Sequence, residues 1–174
     1  MIQHAPAVSQ QVRDGDVDIG VALAAAPAPG VQVLFRTGVD LRAVCAPRHA
    51  IASRKSVPLA ELQRHQIALP VSTTDARRVF DAACALEGVV IEPVLTANMF
   101  AVLVAFVLAG DAVSIMSEVS VRGRVESGQL VAIPIRSSHN LMRCIEIQVM
   151  AGRRLPDVAQ KFIELLIAEL ERAV

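Results

Sequence analysis

The chain has 174 residues, 53% of them hydrophobic, and 17 basic side chains are matched by 17 acidic ones for a formal net charge of zero. That balance, without a strong basic cluster, makes the chain by itself a poor nucleic-acid binder, and an aromatic content of 3%, all phenylalanine, effectively excludes a base-stacking platform. The mean hydropathy of +0.49 is high, yet the longest apolar run, Met99 to Ala109, falls well short of the roughly 20 residues of a membrane span.

Met1 to Pro6 has no basic stretch followed by an apolar core, so no signal peptide is expected. Val17 to Leu23 is an apolar run broken only by Asp18 and Gly20, consistent with a buried strand. Ala24 to Gly30 reads as a loop, since Pro27 and Pro29 block regular structure. Val31–Arg36 and Leu41–Ala46 read as two strands. Pro58 favours a short helix over Leu59–Gln63, and Gln66–Leu69 is a strand ended by Pro70.

Ser72-Thr73-Thr74 supplies N-capping hydroxyls for a helix from Asp75 to Leu86. Arg77 and Asp81 are spaced to pair within it, and Gly88 is a plausible stop. Val89 to Leu95 reads as a strand, with Pro93 marking an edge or a bulge. Thr96-Ala97-Asn98 makes a polar break, Met99–Ala109 a buried helix ended by Gly110, and Val113–Met116 a buried strand. Strand, helix, strand is a βαβ crossover, which needs a parallel sheet covered by helices.

Glu118–Glu126 reads as helix, and Leu130–Pro134 and Cys144–Met150 as strands. The last helix is expected to be capped by Asp157, with Gln160 in the capping-box position. Val158, Phe162, Leu165, Leu166 and Leu170 form its apolar stripe and are expected to pack into the core. Lys161 with Glu164 and Glu169 with Arg172 fall on its wetter side.

The chemistry-bearing residues are scattered. Cys45, Cys84 and Cys144 lie far apart with no CxxC spacing, which reads as buried or half-buried thiols in a reducing cytosol. His4, His49, His65 and His139 have no metal-ligand spacing. The chain has no GxSxG elbow and no Walker loop, and Gly15-Asp16-Val17-Asp18-Ile19-Gly20 precedes a strand where a phosphate loop would precede a helix. No catalytic residue, metal or cofactor is therefore expected.

Two patches are candidates for binding a small molecule. Ser72, Thr73 and Thr74 follow a strand and open a helix, where backbone N–H groups and hydroxyls bind carboxylates or similar anions. Asp75 beside them opposes an anion and favours a ligand carrying an amine. Asn98, Met99 and Phe100 sit at a comparable strand end, one side chain for a hydrogen bond and two for an apolar wall. The alternatives are plain helix capping for the first patch, and an N-cap with core packing for the second.

The order of short motifs resembles the effector-binding domain of LysR-type transcriptional regulators over residues 10 to 172. Gly15-Asp16-Val17-Asp18-Ile19-Gly20-Val21 is similar to the family's G-x-hydrophobic-Asp strand start, and Ala46-Pro47-Arg48-His49-Ala50-Ile51-Ala52 to its Pro-x-His loop. Val57-Pro58-Leu59-Ala60-Glu61-Leu62 resembles the short helix before the crossover, and Gly128-Gln129-Leu130-Val131-Ala132-Ile133-Pro134 the G-x-L-V-x-hydrophobic-P strand. Gly110-Asp111-Ala112 departs from the family's glycine-x-glycine turn, and Ser117 stands where proline is frequent.

The resemblance implies an α/β fold of the two-lobed type 2 periplasmic-binding-protein kind. Residues 1–70 and 135–174 would form lobe one, residues 71–134 lobe two, and 69–72 and 134–140 the crossings. A small metabolite would bind between the lobes, against Ser72, Thr73, Thr74, Asn98, Met99 and Phe100, with Ala24 to Ala26 on the lobe-one side. The first strand, first helix and second strand of lobe one would be missing, as would the helix-turn-helix through which the intact protein meets DNA. An exposed sheet edge of that kind predicts association with a second copy. The implied function is effector sensing by a cytoplasmic, non-enzymatic regulator. A transport solute-binding protein and an enzyme on the same scaffold are the alternatives, since fold alone excludes neither.

Overall fold

The computed structural model describes residues 5–24 and 29–172. The readings of Met1–His4, Ala25, Ala26 and Pro27 lie outside the described residues. The chain forms two compact units, one made of the residues up to Val39 and from Arg143 onward, the other of Asp40–Met142. The units therefore change over at 39/40 and 142/143, whereas the sequence reading drew its lobe boundaries at 70/71 and 134/135.

In the first unit, helix α1 (Ala5–Asp14) packs on strand β1 (Gly20–Ala24). Val17 to Ile19, read as the start of this strand, precede it; Asp18 instead holds Arg153 at 2.7 Å. Strand β1 pairs antiparallel with β8 (Met142–Met150), Gly20 opposite Gln148 and Ala24 opposite Cys144. On its other edge β8 meets β2 (Val31–Cys45). Sequence reading split β2 into two strands, but Thr37 to Asp40 remain extended and join them into one.

Side chains alternate along β8 as its pleat requires. Ile145, Ile147 and Val149 are buried on one face; Glu146 and Gln148 are fully buried on the other. The polar pair is satisfied in a chain. Ser9 of α1 donates to Gln148 Oε1 at 2.7 Å, Gln148 Nε2 donates to Glu146 Oε2 at 2.7 Å, and Arg36 Nε donates to Glu146 Oε1 at 2.8 Å.

Helix α5 (Asp157–Arg172) closes this unit and corrects the expected stripe. Ile163 and Leu170 are its buried residues and Leu166 is half-buried, while Val158, Phe162 and Leu165 are exposed. Leu166 and Leu170 face inward as the sequence suggests, but Ile163 takes the inward place expected of Phe162, because a helix this apolar carries two candidate stripes. Asp157 is the first helical residue, and the Gln160 amide donates to Leu155 O at 2.9 Å instead of closing a capping box.

The second unit holds the end of β2 and then β3 (Val57–Pro58), a 3₁₀ helix (Leu59–Arg64), β4 (Gln66–Pro70), α2 (Asp75–Leu86), β5 (Leu95–Ala97), α3 (Phe100–Ala109), β6 (Ala112–Ser117), α4 (Glu118–Glu126) and β7 (Val131–Arg136). Strand β4 lies between β5 and β6 and is parallel to both, which is the expected crossover geometry. β2 pairs antiparallel with β6 and β7, and β3 pairs parallel with β7.

The sheet is apolar on both faces, as a strand layer between helices must be. Ile67, Leu69, Val113 and Ile115 pack with Phe80, Ala83 and Cys84 of α2. Ala68, Val44 and Met116 pack with Leu103, Val104 and Val107 of α3. The expected strand Val89–Leu95 is the main departure. Only Leu95 is in β5, and Val90 and Val94 are exposed. Pro93 has no N–H for a ladder, so pairing with β4 begins after it.

Candidate functional site

The carboxyl ends of β4, β5 and β6 form one edge of the second unit's sheet. The connection from β4 to β5 runs through α2 on one face, and that from β5 to β6 through α3 on the other. Chain connections that part in this way leave a crevice at the strand ends. Pro70 lies opposite Ala97, and the Val71 N–H donates to Ala97 O at 3.1 Å. The turn Ser72–Thr74 and the segment Asn98–Phe100 thus leave from adjoining strand ends.

The six expected residues divide by what their side chains do. Thr74 is the N-cap of α2: its Oγ1 donates to Val71 O at 2.9 Å and accepts the Arg77 N–H at 3.3 Å. Its hydroxyl is committed to shaping the turn. Ser72 and Thr73 are exposed at the tip of that turn. Asn98 is exposed and does not cap α3, whose N-cap position falls on Met99 without a side-chain bond. Met99 is 60% exposed and Phe100 40%, so neither is core. The chain holds these apolar groups in water at a strand edge, where a ligand would cover them.

Ser117, noted in the sequence only as standing where proline is frequent, and Ser120 belong to the same edge and are not among the six expected residues. Ser117 ends β6 and precedes α4, and its hydroxyl lies 2.6 Å from that of Ser120. Glu118 pairs with Arg42 of β2, at 2.7 Å from Nη2 and 2.8 Å from Nε. A serine after a buried strand, with a second serine three residues on, was the available signal.

The arginines of this edge are engaged. Arg77 donates to Asp81 at 2.7 Å and to Pro70 O at 3.1 Å, Arg78 meets Asp75, and Arg42 meets Glu118. The polar groups left at this edge are hydroxyls, the Asn98 amide and the first N–H groups of α2, beside the exposed Met99 and Phe100.

Among the described residues of this edge, the hydroxyls that are bonded hold backbone groups or each other. Burial, with Asp111 adding to it, pushes the Cys45 thiol up to about 11, and burial first, then Asp81 and Glu87, does the same to Cys84. Neither is a thiolate at neutral pH. Among the described residues no three His, Cys, Asp or Glu side chains are grouped to hold a metal ion, and no helix is long and apolar enough to cross a membrane.

The chain is similar to solved regulatory domains over nearly its whole length. The regulatory domain of CcmR from Synechocystis, in complex with 2-PG, superposes with a TM-score of 0.75 at 13% identity, covering 95% of this chain and 79% of that one. The effector-binding domain of QuiR in complex with shikimate superposes at 0.72 and 15% identity, with 98% and 78% covered. An OxyR mutant from Corynebacterium glutamicum superposes at 0.72 and 18% identity, covering 99% of this chain and 54% of that one. These likenesses establish the fold, α/β and periplasmic-binding-protein-like. No curated protein sequence matches. The family profile described as the LysR substrate binding domain matches residues 2–171, and the chain belongs to that family.

Proposed function

We propose that this chain senses a small metabolite for a transcription regulator, holding it at the carboxyl edge of β4 and β5. Ser72, Thr73 and Asn98 would make the polar contacts, Met99 and Phe100 the apolar wall, and Thr74 would fix the turn that presents them. The observation that carries the reading is the pair of exposed segments, one hydroxyl-bearing and one apolar, rising from strands joined by the Val71–Ala97 hydrogen bond. Two similar effector domains hold 2-PG and shikimate, which supports a ligand of that size.

The chain does no chemistry on the ligand in this reading. Ligand binding would bias two arrangements of the regulator according to its affinity for each. DNA would be met through a helix-turn-helix of the intact, oligomeric, cytoplasmic protein. A thermal-shift screen against small carboxylates, amino acids and aromatic acids tests it. A ligand-specific rise in melting temperature that Asn98→Ala and Ser72→Ala each reduce supports the site. A rise that neither substitution touches places binding elsewhere and removes this edge from consideration.

A further inference from the structure

At the other end of the same sheet lies a group of titratable side chains that the effector edge does not use. Arg48 and His49 follow the end of β2. Arg48 Nη2 donates to the last carbonyls of α3, Leu108 O at 2.9 Å and Ala109 O at 3.3 Å. His49 is 4% exposed. Its Nε2 lies 3.5 Å from Asp111 Oδ1, and its Nδ1 accepts the Ile51 N–H at 3.2 Å. The His65 ring stands edge-on to it with centroids 5.1 Å apart, and the buried Nε2 of His65 has no hydrogen-bond partner among the described residues. Two neighbouring residues thus tie one turn to the end of α3 and to the start of β6.

We propose that His49 is a proton-operated latch, which holds the C-terminal end of α3 while neutral and releases it on taking up a proton.

The reason is the hydrogen-bond inventory of the ring. An Nδ1 that accepts a backbone N–H carries no proton, so the neutral ring has its proton on Nε2, facing Asp111. A second proton must go on Nδ1, where it meets the Ile51 N–H donor against donor. The 49–51 turn then has to open, and the Arg48 contacts to Leu108 and Ala109 open with it.

The groups facing the ring are Asp111, from the turn before β6, and His65, from the end of the 3₁₀ helix. Arg48 is directed to α3, and the Cys45 thiol nearby stays neutral. Burial dominates and lowers the His49 pKa; Asp111 works against it, and His65 adds to the lowering. The latch is closed at neutral pH and opens as pH falls below the ordinary imidazole value of about 6.5. This holds whatever the effector edge binds.

The test is amide exchange by NMR on the whole chain. It follows the Ile51 amide, bonded to His49 Nδ1, and the Gly110 amide, bonded to Phe106 O at 3.1 Å. Both protection factors, corrected for intrinsic exchange, should fall together by about tenfold or more between about pH 8 and about pH 5, as the His49 ring nitrogens titrate. His49→Gln keeps an acceptor for Ile51 but does not titrate, so its protection should be flat. Asp111→Asn keeps the histidine and should move the transition to lower pH; His65→Gln should move it to higher pH. Protection that stays constant while His49 gains its proton overturns the latch. So does an unchanged transition in His49→Gln or in both of the other variants.

Discussion

Gly20 and Val12 are so close that a Cβ built on the glycine would lie 2.6 Å from Val12 Cγ2, with Val8 Cγ1 at 2.9 Å. Val12 is completely buried, so α1 rests directly on the start of β1. Gly20→Ala forces that helix away from the sheet and should destabilise the protein by about 1–3 kcal/mol. Gly123, inside α4, has nothing within 4 Å of its built Cβ. Gly123→Ala should stabilise by about 0.5–1 kcal/mol through helix propensity alone. Urea denaturation of the two variants checks the pair, and equal effects would contradict the close packing at Gly20.

Arg36 partners a carboxylate that has no access to water. Glu146 is fully buried, and Arg36 closes the chain of hydrogen bonds that begins at Ser9. Arg36→Met leaves the charge buried, with the Gln148 amide still donating to it. Because the Arg36 side chain is 43% exposed, solvent already screens its charge in the pair; the loss should be on the order of 2 kcal/mol, below the range for a fully buried pair. Adding Glu146→Gln removes the charge and should restore most of it. A double variant no more stable than Arg36→Met would show that the charge is not what matters.

Glu87, just past the end of α2, holds the segment that leads into β8. Its Oε1 accepts the Ser137 hydroxyl at 2.5 Å, the Ser138 N–H at 2.7 Å and the Ser138 hydroxyl at 3.1 Å. The Ser137 hydrogen bond first, then those from Ser138 and His139, pull its pKa below the ordinary value of 4.5. A carboxylate whose folded pKa is depressed contributes stability above the unfolded value and loses it as pH falls through the folded one. The stability difference between wild type and Glu87→Gln should therefore be level at neutral pH and shrink as pH drops below 4.5. Chemical denaturation at a series of acid pH values measures it; a difference that stays constant down to full protonation refutes the linkage.

The parts of the fold that could be read from sequence are those where local and tertiary preferences agree. Helix α2 has its hydroxyl cap at Thr74, its Arg77–Asp81 pair and a left-handed Gly88 after it, all as the sequence suggested. The interior of β4 and β6 was legible because both faces are covered and every residue is apolar or small. Val89–Val94 failed because its apolar composition is that of a strand while Pro93 and the exposure of Val90 and Val94 are those of a loop. The α5 stripe was right at Leu166 and Leu170 but wrong at Val158, Phe162 and Leu165, because these are as apolar as the buried Ile163, and hydrophobicity alone does not say which row faces in. At the candidate site the residue types were legible, but the commitment of Thr74 to its own turn was not; it depends on a bond to Val71 O.

That commitment separates two roles that the sequence had merged. Thr74 Oγ1 has its proton on Val71 O and a lone pair on the Arg77 N–H, so it has little left for a ligand. Thr74→Val keeps the shape and removes both bonds. It should cost about 1 kcal/mol of stability in the absence of any ligand, the ordinary loss of an N-cap. Thr74→Ser keeps both bonds and should be nearly neutral. Asn98→Ala and Ser72→Ala remove exposed groups and should leave the unliganded stability within about 0.5 kcal/mol of wild type. Differential scanning calorimetry on the four unliganded variants distinguishes them. If Thr74→Val is as stable as wild type, the cap contributes nothing, and its hydroxyl is free to be counted with Ser72 and Asn98 among the groups that meet the effector.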